Sequence, residues 1–152
     1  GKSIFHHTPD HPLADDPTDP LLFKGPGAAM SPDRKQVALY TLENGQPIIQ
    51  VWDISSGKLL FRCQSVTGQQ GGLTWSPDGK YLAALKNDHG SQALHCWDAR
   101  NGSLSLTYQT LQEPDTLTWS PDGRLLAMVD RRQPFFMHAP AKDTVLRIFS
   151  VT

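Results

Sequence analysis

The chain of 152 residues has little of what announces most chemistries. Two cysteines, Cys63 and Cys96, are too few to staple a small secreted scaffold. They read as small hydrophobes within strands rather than as a bridge or a reactive thiol, and a cytoplasmic location is expected. Neither sign of charge dominates: 14 basic against 15 acidic residues leave a net charge of -1, so no field exists to hold a phosphate backbone. Nucleic acid is therefore not an expected partner, and basic pairs such as Arg34-Lys35 and Arg131-Arg132 read first as solvated loops. No apolar run approaches the roughly 18 residues of a membrane span, and no basic segment followed by an apolar one opens the sequence, so no membrane contact is expected. Missing as well are a Gly-x-Ser-x-Gly elbow and a phosphate loop with its lysine. Gly68-Gln69-Gln70-Gly71-Gly72 comes nearest, lacks that lysine, and reads as a flexible link.

What is present is turn chemistry and repetition. Apolar residues make up 38% and charged residues 19%, with glycine and proline at 12 each, which suits a turn-rich, all-β chain of one domain. Trp75-Ser76-Pro77-Asp78-Gly79-Lys80-Tyr81-Leu82-Ala83 returns as Trp119-Ser120-Pro121-Asp122-Gly123-Arg124-Leu125-Leu126-Ala127, and a fainter copy starts at Met30-Ser31-Pro32-Asp33. The period is about 45 residues, the size of one four-stranded unit. In each copy proline sets φ at the first central position, Ser and Asp can bond nearby amides, and Gly79 and Gly123 allow a positive φ. The turn therefore closes a hairpin, and Asp33, Asp78 and Asp122 are structural turn residues rather than a carboxylate set. Second strands are expected over 36–41, 81–86 and 125–130, third strands over 48–53, 93–98 and 145–150, and fourth strands over 59–64 and 104–108. Residues 1–26 read as an extended leader rich in Pro, Asp and His, and Leu21-Leu22-Phe23-Lys24 as a possible strand in it. His6, His7 and His11 lack any spacing that would place them on one helix face, so a polar linker is preferred to a metal site.

Four antiparallel strands per unit describe a β-propeller blade. With Trp52-Asp53 and Trp97-Asp98 closing two third strands and Ser-Pro-Asp-Gly in the turns, residues from about 27 onward resemble the WD-repeat family, as blades of about 27–66, 67–110 and 111–152. The Gly-His dipeptide that opens many such units is missing, and Phe149-Ser150 stands where Trp-Asp belongs. The family's turn Asp is matched by Asp143 alone, with Gln46 and Ser91 at the equivalent positions. A Tol-type or Tricorn-type propeller also uses the Trp-Ser-Pro-Asp-Gly turn but lacks the Trp-Asp ending.

Function is sought where the repeat fails. Met30 to Trp52 and Trp75 to Trp97 are both 22 residues apart, but Trp119 to Phe149 are 30 apart, which places eight extra residues in the stretch Asp130 to Lys142. That loop carries Arg131, Arg132, Phe135, Phe136, Met137 and His138, and aromatic anchors there suit a protein partner, a cover for the barrel end, or a ligand pocket. No metal or cofactor is assigned: His89 and His95 have no partner at metal spacing, and His138 has no third ligand. Three blades do not close a ring. Either two copies combine as a two-fold six-bladed ring, each lending its N-terminal strand to the other, or the residues belong to a longer or split propeller, the reading favoured because a gene of this type usually encodes all its blades on one chain. The resemblance implies a non-catalytic scaffold or sensor module for protein partners. The competing class is an enzyme whose site is completed by blades outside the chain.

Overall fold

A computed structural model describes residues 27–44, 46–63, 69–88, 91–110, 113–131 and 144–151, and these form strands and turns only. The first sheet holds β1 (Ala28–Met30), β2 (Gln36–Glu43), β3 (Gln46–Asp53) and β4 (Leu59–Arg62) in sequential antiparallel order. The second repeats it with β5 (Gln69–Trp75), β6 (Tyr81–Asp88), β7 (Ser91–Asp98) and β8 (Leu104–Thr110). The third has β9 (Glu113–Trp119), β10 (Leu125–Arg131) and β11 (Thr144–Ser150), so β11 is its last described strand. Among the described residues no helix is long and apolar enough to cross a membrane.

The first hairpin of each sheet is closed by one repeated device. Ser31 Oγ donates to Asp33 Oδ1 at 2.6 Å and accepts from the Gln36 amide at 2.9 Å, while Asp33 also takes the Lys35 amide at 3.1 Å. The same three bonds recur around Ser76 and Asp78, and around Ser120 and Asp122. The residue after each Asp lies in the left-handed region, with φ 73° at Gly79 and Gly123 and φ 60° at Arg34. A side chain with a Cβ is strained there by about 1 kcal/mol. Arg34→Gly is accordingly expected to stabilise the chain by about 0.5–1 kcal/mol, read as a rise in the urea midpoint. A lower midpoint would show that Arg34 makes contacts worth more than the strain.

Two sequence expectations are corrected by the strands. Gln69 to Gly72 belong to β5 rather than to a flexible link. Gly72, at φ 65°, sits within the register shift between Gly71 and Thr74, so the glycine makes a bulge in a paired strand instead of ending it. Arg131 extends β10, paired with Thr144 and Glu113, so the long loop begins one residue beyond it. In the other two blades only two residues separate the corresponding strands: β2 and β3 pair up to Glu43 opposite Gln46, and β6 and β7 up to Asp88 opposite Ser91. Asn44, at φ 52°, suits the tight Asn-Gly turn of the first of these.

Alternation across each strand gives every sheet two faces, and successive sheets stack through them. Ala38, Ile49, Val51 and Cys63 of the first sheet, with Ala29, Tyr40 and Phe61, pack on Leu73, Trp75, Leu82, Ala84, Trp97 and Ala99 of the second. The opposite face of the second sheet, Ala83, Leu85, Leu94 and Cys96 with Leu106 and Tyr108, packs on Leu117, Trp119, Leu126, Met128, Phe149 and Val151 of the third. The tryptophan that ends a first strand stitches one blade to the preceding one: Trp75 Nε1 donates to the Ala29 carbonyl at 3.0 Å. Trp119 holds the corresponding place, its ring 6.3 Å from that of Tyr81 and nearly parallel to it.

Candidate functional site

The turns that carry the repeated carboxylates lie side by side along the stack. A Cβ added at Gly123 would stand 2.8 Å from the carboxyl of Asp78, so the third turn abuts the second. Each carboxylate is nonetheless occupied within its own turn. The Ser31 hydroxyl, then the Lys35 amide, hold Asp33 below the ordinary carboxyl range, and Ser120 and the Arg124 amide do so for Asp122. At Asp78 burial works against ionisation, but bonds from Ser76 and Lys80 outweigh it and lower the pKa.

Asp53 and Asp98 end the third strands and cap the turns that follow. Asp53 Oδ1 accepts the hydroxyls of Ser55 and Ser56 at 2.6 and 2.8 Å and the Ser56 amide at 2.8 Å. Asp98 accepts the Arg100 amide at 2.9 Å and is paired with the Arg100 guanidinium. These bonds, from Ser55 first in one case and Arg100 first in the other, bring both carboxyls down to about 2. An unfolded Asp titrates at about 3.9, so both contributions are complete above that pH and are lost as the pH falls through about 2. The urea midpoint is therefore expected to drop between pH about 4 and 2, and less steeply in Asp53→Asn and Asp98→Asn chains. An unchanged acid slope in both variants would remove these carboxylates from the acid response.

His95 is 7% exposed, its Nδ1 lies 3.0 Å from Thr107 Oγ1, and its ring stacks on Trp97 with centroids 5.7 Å apart, so it serves as a core residue of the second blade. Burial pushes the thiols of Cys63 and Cys96 up to about 12, far from nucleophilic character. Among the described residues no three His, Cys, Asp or Glu side chains converge on a metal position. His6, His7, His11, His89, His138, Arg132, Phe135, Phe136, Met137 and Asp143 lie outside the described residues, as do residues 21–24.

The surface that sequence reasoning passed over is the outer face of the third sheet. Leu146 and Ile148 are 60% and 59% exposed on β11, beside Val129 and Ala127 of β10 respectively. Their counterparts, Ile49 and Val51 in the first blade and Leu94 and Cys96 in the second, are fully buried against the next blade. The signal was present in the superposed third strands, where apolar residues hold these two places in all three copies. An aliphatic sheet face of this kind can bind protein through shape and desolvation, and it offers no group for acid, base or nucleophilic work.

No protein-family model matches the chain, and no curated protein matches it in sequence. Solved structures do match. A hydrazine synthase of Kuenenia stuttgartiensis aligns at 17% identity over 82% of this chain and 38% of its own, with a TM-score of 0.60. TolB from Acinetobacter baumannii aligns at 23% identity over 82% of this chain and 32% of its own, TM-score 0.53. The Dos1 propeller aligns at 17% identity over 62% of this chain and 26% of its own, TM-score 0.52. The chain thus spans well under half the length of the structures it matches. At these identities the likeness carries the fold: the chain is all-β and is built of β-propeller blades.

Proposed function

We propose that the chain is a non-catalytic, WD-repeat-type propeller module of the cytoplasm that acts as a scaffold or sensor domain for protein partners. The WD assignment rests on Trp52-Asp53 and Trp97-Asp98, whose aspartates cap the following turn. The observation that carries the functional reading is the aliphatic outer face of the third blade, with Leu146 and Ile148 at positions that the other blades bury. Among the described residues the turn carboxylates and the buried thiols are engaged in structure, and the exposed aliphatic face supports apolar contact with a partner. Phe135, Phe136 and Met137, flanked by Arg131, Arg132 and His138, supply the complementary hot-spot composition in the long connection after β10.

Covalent capture on the immobilised chain, read by mass spectrometry, tests this reading. Phe135→Ser with Phe136→Ser is expected to lower recovery of the principal protein partner about tenfold, at an unchanged urea midpoint. Unchanged recovery would make the loop a cover rather than a contact. The competing reading, a propeller-housed enzyme completed by other blades, is tested on the purified chain: a stoichiometric metal ion lost on substituting His6, His7 and His11, or His138, would overturn the non-catalytic assignment.

A further inference from the structure

Asn44 and Asn101 are each followed by glycine. That dipeptide is open to spontaneous intramolecular chemistry, because glycine has no Cβ to shield its own amide nitrogen. The nitrogen attacks the asparagine Cγ, a C–N bond forms, and the side-chain nitrogen leaves as ammonia with the proton that the glycine amide gives up. Water then opens the five-membered ring at either carbonyl. Breaking the new bond yields aspartate. Breaking the original backbone bond yields isoaspartate, which routes the chain through Cβ and adds a methylene to it. Either way a neutral residue becomes an anion.

We propose that the fold sorts these two chemically equivalent sites: Asn44 is a place of spontaneous conversion to isoaspartate and aspartate, and Asn101 is kept intact by its turn and by the docking of the first two blades. At Asn101 both reacting groups are already engaged. Its side-chain Oδ1 accepts the Ser103 amide at 2.9 Å, and the Gly102 amide donates to the Asp98 carbonyl at 2.8 Å. Ring closure swings the first group away and removes the hydrogen of the second, so both bonds are lost before any product forms. The backbone has no room to follow. Gly102 is buried, and a Cβ there would meet the Arg62 carbonyl oxygen of the preceding blade at 2.5 Å. Reaction at Asn101 therefore waits on an opening of the turn and of the joint between the blades.

Asn44 has none of these restraints. It is exposed beyond the last pair of the β2–β3 ladder, Glu43 opposite Gln46, and among the described residues no hydrogen bond engages its side chain. Its Cγ is free to approach the following amide. The products alter the hairpin in two ways. An added backbone methylene lengthens a connection of two residues, the kind whose length fixes the register of the strands it joins. The new carboxylate arises next to Glu43, whose side chain takes Arg62 Nε at 2.9 Å and Nη2 at 2.7 Å and so ties β2 to β4. A second anion at this place draws on the same guanidinium.

Peptide mapping of the aged chain tests the sorting. Trypsin releases each asparagine on a peptide that holds no other, residues 36–58 for Asn44 and 101–124 for Asn101. The folded chain is kept in mildly alkaline buffer, sampled over weeks, digested and read by mass spectrometry. Conversion appears as the mass gain of an amide turned acid, and chromatography separates the isoaspartyl from the aspartyl peptide. Conversion at Asn44 is expected to run about thirtyfold faster than at Asn101, the factor that two hydrogen bonds of ordinary net strength impose on a reaction that must break both. In guanidinium chloride sufficient to unfold the chain, the two rates are expected to converge. An Asn44 that stays intact in the folded chain, equal rates at the two sites, or a faster Asn101 would each overturn the proposal. So would a gap that persists unchanged in the unfolded chain, because it would place the cause in flanking residues rather than in the fold.

Discussion

Trp97→Ala is expected to destabilise the chain by about 3–5 kcal/mol, a large share of the stability of a domain of ordinary size. Trp97 is fully buried, and no larger side chain is so enclosed in this structure among the described residues. It packs in the cluster that joins the first two blades, and it stacks on the buried His95, whose Nδ1 faces Thr107 Oγ1. Truncation removes the apolar contact, leaves a cavity in two sheets at once, and frees the imidazole. Trp52 holds the same motif position on the first blade but is only half-buried, so Trp52→Ala should cost distinctly less in the single chain. Urea unfolding of both variants at equal protein concentration checks the pair. Equal losses would show that motif identity rather than the preceding blade fixes the contribution of this tryptophan.

The contrast between Trp97 and Trp52 marks what a sequence of this type discloses. Local chemistry was legible: Ser76, Pro77, Asp78 and Gly79 specify one turn through their own side chains, and the hairpin follows wherever that set recurs. Periodicity placed the second and third strands to within a residue or two, because blades repeat their hydrophobic pattern. Glycine misled where it makes a bulge inside a paired strand instead of ending it, as at Gly72, whose φ of 65° lies at the register shift between Gly71 and Thr74. The long insertion was found, but its start was misplaced because Asp130 and Arg131 continue a pairing that depends on Thr144 and Glu113, far away in sequence. Least legible was the exposed face of the third blade. Leu146 and Ile148 look like any interior strand, and only the absence of a following blade in the described structure turns the pattern into a surface.

Gly102→Ala is expected to cost about 3–4 kcal/mol, the second large effect, although the residue adds nothing to the core by its own area. Gly102 lies in the turn between β7 and β8 at φ 74°, where a residue with a Cβ is already strained. Its amide donates to the Asp98 carbonyl at 2.8 Å, which fixes the turn next to the carboxylate that caps it. The added methyl would stand 2.5 Å from the Arg62 carbonyl oxygen and 2.7 Å from Phe61 Cδ2, both on the last strand of the preceding blade. A flexible side chain could retreat from such a contact, but the Arg62 carbonyl is backbone, and Phe61 is wedged into the cluster that joins the blades. The equivalent turn of the first blade provides the control. Gly57 has φ 65°, so Gly57→Ala meets comparable backbone strain without a described blade in front of it. The difference between the two midpoints isolates the contact with the neighbouring blade. A Gly102→Ala chain no less stable than Gly57→Ala would mean that the two blades can separate by a few tenths of an ångström at no measurable cost, which the burial of Val51 and Trp97 on either side of this interface argues against.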